Sequence, residues 1–128
     1  LKAFNNFELQ NAIMKKDGNK AYRIADYFGQ FPNKNPLPVT LSIIYNLFSK
    51  LIIIHGLSSK NPSMAAKSIG VSPYFVSGYL EAAQHYDLKK SVEVIDCLRQ
   101  ADVQSKGVEN VSLSHHNILR TLLFQIFD

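Results

Sequence analysis

The sequence predicts an all-α fold: a single helical domain of about seven helices, two of them forming a helix-turn-helix-like unit. Three observations lead there. Apolar residues recur three and four positions apart in one segment after another, and no stretch alternates polar and apolar as a half-buried strand does. The segments are separated by helix-stopping chemistry: Asp17-Gly18-Asn19, Gly56 and Lys106-Gly107. The stretch from Asn61 to Tyr86 reads as two helices about a tight turn. Ala66 is the small residue against the partner helix, Gly70 the turn residue able to take positive φ, and Val76 the apolar anchor of the second helix. With 128 residues, 46% of them hydrophobic, the chain can bury one core.

The elements follow in order. A first helix covers Glu8 to Lys16, with Leu9, Ala12 and Ile13 on one face. Asn19 is placed to cap a second helix, Lys20 to Phe28, whose stripe is Ala21, Ile24, Ala25 and Phe28, so the two form a hairpin. Residues 29–38 hold three prolines and read as a loop over the core. The longest helix, Val39 to His55, is apolar nearly all round and is therefore expected to be buried nearly all round, with Gly56 closing it in a left-handed conformation. The helix-turn-helix pair comes next, its second helix starting near Ser72 and Pro73. Asp87 caps a segment to about Ser105 in which Leu88, Val92, Ile95, Leu98 and Asp102 fall in step, and Lys106-Gly107 ends it. The last helix starts at Ser112 or Ser114 and carries Ile118, Leu119, Leu122, Leu123, Ile126 and Phe127. The expected core includes Leu47, Phe48, Leu51, Ile54, Phe75, Ile95 and Leu122.

Several function classes find no support. There is no glycine-rich phosphate loop of the G-x-x-x-x-G-K-[ST] type, so no nucleotide cofactor is expected. His115-His116 are adjacent, point about 100° apart on a helix, and have no ligand partner at the next turn, so they read as a polar pair near a cap and no metal site is expected. His55 and His85 sit at helix ends as structural groups, and Cys97 reads as a small buried hydrophobe, leaving no catalytic residue. A lone cysteine allows no internal disulfide and favours a cytoplasmic home. The longest uninterrupted apolar run, Leu51 to Ile54, is far below the ~20 residues of a membrane span, so no membrane role is expected. The chain opens on Leu1 without a signal sequence and is expected to be a portion of a longer protein.

The net charge of +4 comes from cations scattered between Lys2 and Arg120, adjacent only at Lys15-Lys16 and Lys89-Lys90. That describes a mildly basic solvated surface rather than a nucleic-acid stripe. The helix-turn-helix itself lacks what DNA reading requires. Its second helix exposes Tyr74, Ser77, Gly78 and Glu81 and offers no Lys or Arg before Lys89. Tyr74 and Tyr79 point away from Phe75 and suit either packing or an interface contact. Phe124 lies off the main stripe of the last helix and supplies more apolar surface than one core face needs.

With the helical order in hand, F-E-L at Phe7 to Leu9, K-K-D at Lys15 to Asp17 and K-A at Lys20-Ala21 resemble the opening of the C-terminal domain of the bacterial DNA polymerase III delta subunit. L-F-S-K-L at Leu47 to Leu51 stands where that family has a Q-F-R-x-L-like segment. A-A-K-S-I-G-V-S-P-Y-F-V at Ala65 to Val76 is similar to its A-x-x-L-G-[VI]-x-P-[YF]-[FV]-[VA]. A-D-V-Q-S-K-G at Ala101 to Gly107 resembles its A-D-x-x-x-K-G element. Lys50 for the usual arginine and the proline-rich loop depart from the pattern.

The resemblance implies a clamp-loader collar-type bundle whose parent chain carries two N-terminal AAA+ modules, the first of which opens the sliding clamp. Its partners would be the tau/gamma and delta-prime subunits in a five-membered collar, the sliding clamp only through the missing N-terminal part, and primer-template DNA weakly or indirectly. Tyr74, Tyr79, Arg120 and Phe124 would then belong to subunit interfaces, and Gln104 and Lys106 would lie nearest the DNA. The parent would be a subunit of the DNA-directed DNA polymerase III holoenzyme, with no catalysis from this portion. The competing reading is the DNA-binding domain of a transcription regulator, acting through Ser72 to Tyr79.

Overall fold

The computed structural model describes residues 3–107 and 114–128. Among the described residues there are seven α-helices and no strand: α1 (Asn6–Met14), α2 (Gly18–Gln30), α3 (Leu37–His55), α4 (Pro62–Ile69), α5 (Val76–His85), α6 (Leu88–Ser105) and α7 (His115–Phe127). The sequence-based expectation of an all-α single domain holds.

Local caps set most of the boundaries. Asn5 accepts a hydrogen bond from the Glu8 amide at 2.9 Å and starts α1 two residues earlier than the apolar pattern indicates. Asp17, not Asn19, caps α2: its carboxylate accepts from the Lys20 amide at 3.2 Å, which an N-cap three residues upstream can do and Asn19 cannot. Ser114 caps α7 by accepting from Asn117 at 3.1 Å, whereas the alternative start at Ser112 lies outside the described residues. At the other end of α7, the Lys90 ammonium donates to the carbonyls of Gln125 at 2.6 Å and Asp128 at 3.1 Å, satisfying acceptors that the helix itself leaves open.

The central element is α3, which packs against α6, α5, α4 and α1. Leu37, Leu41, Ile44, Leu47, Phe48, Leu51 and Ile54 face the core. The expectation that α3 is buried nearly all round is corrected: Val39, Tyr45 and Ile53 are each 44% to 49% exposed. The remaining helices of so small a domain are too few to surround it. By length and composition alone α3 could cross a membrane, but its buried face is the core of this bundle. Gly56 closes it at φ −85° in the right-handed region, its amide bonded to Ile52 and Ile53, so the expected left-handed cap is absent.

In the helix-turn-helix, Gly70 takes φ +72°, a conformation that disfavours residues carrying a Cβ, and Ala66 and Val76 are buried as expected. The second helix begins at Val76 rather than at Ser72 and Pro73, because residues 73–75 form a turn closed by the Phe75 amide on the Ser72 carbonyl at 2.9 Å. Phe75 is therefore outside the helix and 56% exposed, which corrects its assignment to the core. The buried stripe of α6 is likewise shifted. Ser91, Val94, Leu98 and Ala101 face inward, Ile95 is half-buried, and Leu88 and Val92 are exposed. Small Ser91 and Ala101 let α6 lie close along α3 and α7, and that close approach decides which face turns inward.

Tyr86 completes the core. Its ring is fully buried and meets Phe48 edge-on at 5.2 Å, and its hydroxyl donates to the Ile13 carbonyl at 2.7 Å. Burial pushes its pKa far above that of a free phenol.

Candidate subunit interfaces

Two surfaces gather four of the exposed aromatic side chains, Phe7, Tyr74 and Phe75 on one and Phe124 on the other, while Phe31 and Tyr45 are exposed elsewhere. The first is built on α2 and α7. Arg120 donates from Nη1 to Oδ1 of Asp26 at 2.6 Å while its guanidinium lies over the Tyr22 ring, 5.0 Å from the centroid. That double hold fixes a long cation in one rotamer. One helical turn on, Phe124 stands 65% exposed, bordered by Tyr22 and Thr121. The same Asp26 oxygen accepts from His116 Nε2 at 2.9 Å. Burial alone would raise the Asp26 carboxyl, but the hydrogen bonds and charges of His116 and Arg120 outweigh it and hold the group below the usual carboxylate range. His116 can lie across α2 because residue 29 is glycine, where a Cβ would sit 2.7 Å from the imidazole.

The second surface is a groove of about 600 Å³ between α1 and the helix-turn-helix, lined by Phe7, Gln10, Met14, Tyr74, Phe75 and Tyr79 among others. Phe7 is 62% exposed and Tyr74 80%, the latter tilted against Phe75 at 5.1 Å between centroids. Tyr79 is half-buried in the wall, where its hydroxyl accepts from Gln10 Nε2 at 3.0 Å. So large an exposed aromatic patch is uncommon on a surface with nothing to cover it.

The fold thus sorts the four sequence-nominated interface residues into two pairs: Arg120 with Phe124, and Tyr74 with Tyr79. The pairs lie apart, since α7 packs on α2 and α6 while α5 packs on α1, α3 and α4. Sequence reasoning missed Tyr22 and Asp26, although both fall outside the Ala21, Ile24, Ala25, Phe28 stripe at a spacing that puts them together on the outer side of α2. It also missed Phe7, and it placed Phe75 on the wrong side of the surface.

Gln104 and Lys106 stand exposed at the end of α6, with the Lys106 ammonium 2.9 Å from Asp102. α5 carries Ser77, Glu81 and Gln84 outward and no lysine or arginine. His55 contacts the Tyr86 carbonyl at 2.8 Å and ties α3 to the turn before α6. Cys97 is half-buried, and burial raises its thiol pKa, which disfavours a reactive thiolate. Among the described residues no three His, Cys, Asp or Glu side chains converge as metal ligands would.

Residues 4–123 match the family described as the C-terminal domain of the DNA polymerase III delta subunit. The chain belongs to that family. Comparison with curated proteins and with solved structures gives no match. As the C-terminal domain of a delta subunit, it has a clamp-loader role in DNA replication. In this delta domain the second helix of the helix-turn-helix-like unit, α5, carries no lysine or arginine.

Proposed function

We propose that the domain is the oligomerisation module of its parent delta chain, the piece of the collar that seats the parent beside tau/gamma and delta-prime in a five-membered clamp loader. One observation carries the reading: two separate exposed aromatic surfaces, Arg120-Phe124 and Tyr74-Tyr79, on different sides of one bundle. A member of a closed ring needs two unlike contact faces, one for each neighbour. A groove with exposed Phe7, Tyr74 and Phe75, and an exposed phenylalanine beside a pre-ordered arginine, have the composition of interface anchors.

In this reading the chain is a portion of a longer protein whose N-terminal AAA+ modules contact the sliding clamp, and the collar lies over primer-template DNA with Gln104 and Lys106 nearest to it. The complex is cytoplasmic, the parent is a subunit of the DNA polymerase III holoenzyme, and this domain performs no catalysis itself. The absence of any lysine or arginine on α5 supports a packing role for the helix-turn-helix over a transcription regulator's duplex reading.

The test is reconstitution of the complex with full-length parent carrying Phe124→Ala or Arg120→Ala, followed by analytical ultracentrifugation. Each substitution is expected to weaken association by about 1 to 3 kcal/mol while the domain stays folded. Unaltered association of both variants would count against the α7 surface as an interface.

A further inference from the structure

An arginine on a helix surface samples many rotamers, and a partner that uses it must first stop that motion. Arg120 is already stopped. Two residues of another helix hold its guanidinium: the Tyr22 ring, whose centroid lies 5.0 Å from Cζ, and the Asp26 carboxylate, 2.6 Å from Nη1. Arg99 and Lys106 behave differently, pairing with Asp96 and Asp102 three and four residues back on their own helix. Pairs of that kind arise wherever opposite charges fall at helical spacing. A hold that crosses from α7 to α2 needs three side chains in register, two of them one turn apart on α2.

The two holders are themselves held. Tyr22 is half-buried and tilted against Phe127, 6.1 Å between centroids. Asp26 accepts from His116 as well, and with its carboxyl below the usual range it is ionised at neutral pH and balances the charge of Arg120. Stability does not account for the arrangement. The Arg120 side chain is 43% exposed and that of Asp26 50%, and an ion pair so open to water contributes little to folding. A guanidinium carries five N–H donors, and the bond to Asp26 is the one that Arg120 makes among the described residues. Its remaining donors border the same hollow as Thr121 and the exposed Phe124.

We propose that Tyr22 and Asp26 are positioning residues for subunit recognition, presetting Arg120 beside Phe124 as a charge-balanced donor for an uncharged acceptor oxygen of the neighbouring subunit. The proposal rests on the assembly reading above and names the chemistry of its α7 contact. A carboxylate brought by the neighbour would stand next to that of Asp26 on a single guanidinium, and like charges so placed repel. A carbonyl or hydroxyl oxygen meets no such opposition. Because Arg120 loses its rotamer freedom on folding rather than on binding, the preset side chain is worth about two- to tenfold in affinity.

The test is a double-mutant cycle on the reconstituted complex, reading the dissociation constant of the full-length parent from the other subunits by fluorescence titration. Asp26→Ala and Tyr22→Leu are each expected to weaken association about fivefold. Tyr22→Phe, which keeps the ring under the guanidinium, should restore most of what Tyr22→Leu loses. In an Arg120→Ala background, Asp26→Ala should change the affinity by less than about twofold, because nothing is left to position. Circular dichroism of the full-length variants checks that they are folded. Tighter association of Asp26→Ala would show that the neighbour brings its own carboxylate to Arg120 and would overturn the proposal. So would equal losses from Asp26→Ala with and without Arg120, which would make Asp26 a contact in its own right. An unaffected Asp26→Ala beside a weakened Arg120→Ala would overturn the positioning role and leave the interface standing, whereas unaltered association of Arg120→Ala would remove both.

Discussion

The hydroxyl of Tyr86 donates to the main-chain carbonyl of Ile13 at 2.7 Å, joining the last turn of α1 to the junction of α5 and α6 inside the core. The same carbonyl accepts from the Lys16 amide at 2.9 Å, so removing the phenol does not orphan it. Tyr86→Phe is expected to cost about 1 kcal/mol, the net value of one hydrogen bond, and Tyr86→Ala about 3 to 5 kcal/mol because a large cavity opens against Phe48. Urea unfolding of the two variants gives both numbers.

At Gly29 two effects oppose each other. Alanine is the better helix former by about 1 kcal/mol, but its Cβ would lie 2.7 Å from the His116 ring, and overpacking costs about 1 to 3 kcal/mol. Gly29→Ala is expected to be destabilising on balance and to release His116 from Asp26, seen as a shift of the His116 imidazole resonances. A stabilised variant would show that the ring moves aside freely.

The Asp26 carboxyl, held below its usual pKa in the folded state, contributes stability that is fully present above the unfolded value near ~3.9 and is lost as pH falls through the lower folded value. Asp26→Asn should therefore flatten the acid limb of the stability curve below pH ~4 and leave its slope above pH ~5 unchanged. Denaturant unfolding across that range measures it. The pair is half exposed, so the effect on stability at neutral pH should be small.

Ser91 is fully buried on the inner face of α6, and its hydroxyl oxygen has no hydrogen-bond partner among the described residues. Ser91→Ala removes a buried polar group that gains nothing there and improves helix propensity. It is expected to stabilise by about 1 kcal/mol, visible as a rise in Tm.

The parts legible in the sequence are those governed by local chemistry. Asp87, Ser114, Gly70 and Gly107 act where capping and turn rules place them, and the α7 stripe reads directly from its spacing. The parts that were not legible depend on which neighbour a helix meets. α6 has two candidate stripes, and only the approach of α3 and α7 selects Ser91 and Ala101 over Leu88 and Val92. Phe75 looks like core by hydrophobicity, yet the turn that precedes Val76 leaves it outside. For the surface, spacing exposes Phe124 and puts Asp26 on the outer side of α2, but it cannot reveal the Asp26-Arg120 contact, which spans two helices distant in the chain.

Assembly of the clamp loader through this domain is best tested by removing it. The measurement is analytical ultracentrifugation of the five subunits reconstituted with full-length parent and with parent lacking residues 1–128. The truncated parent is expected to bind the sliding clamp still, but no longer to enter a stable complex with tau/gamma and delta-prime. A five-membered complex of unchanged stability, formed without these residues, would contradict the assembly role.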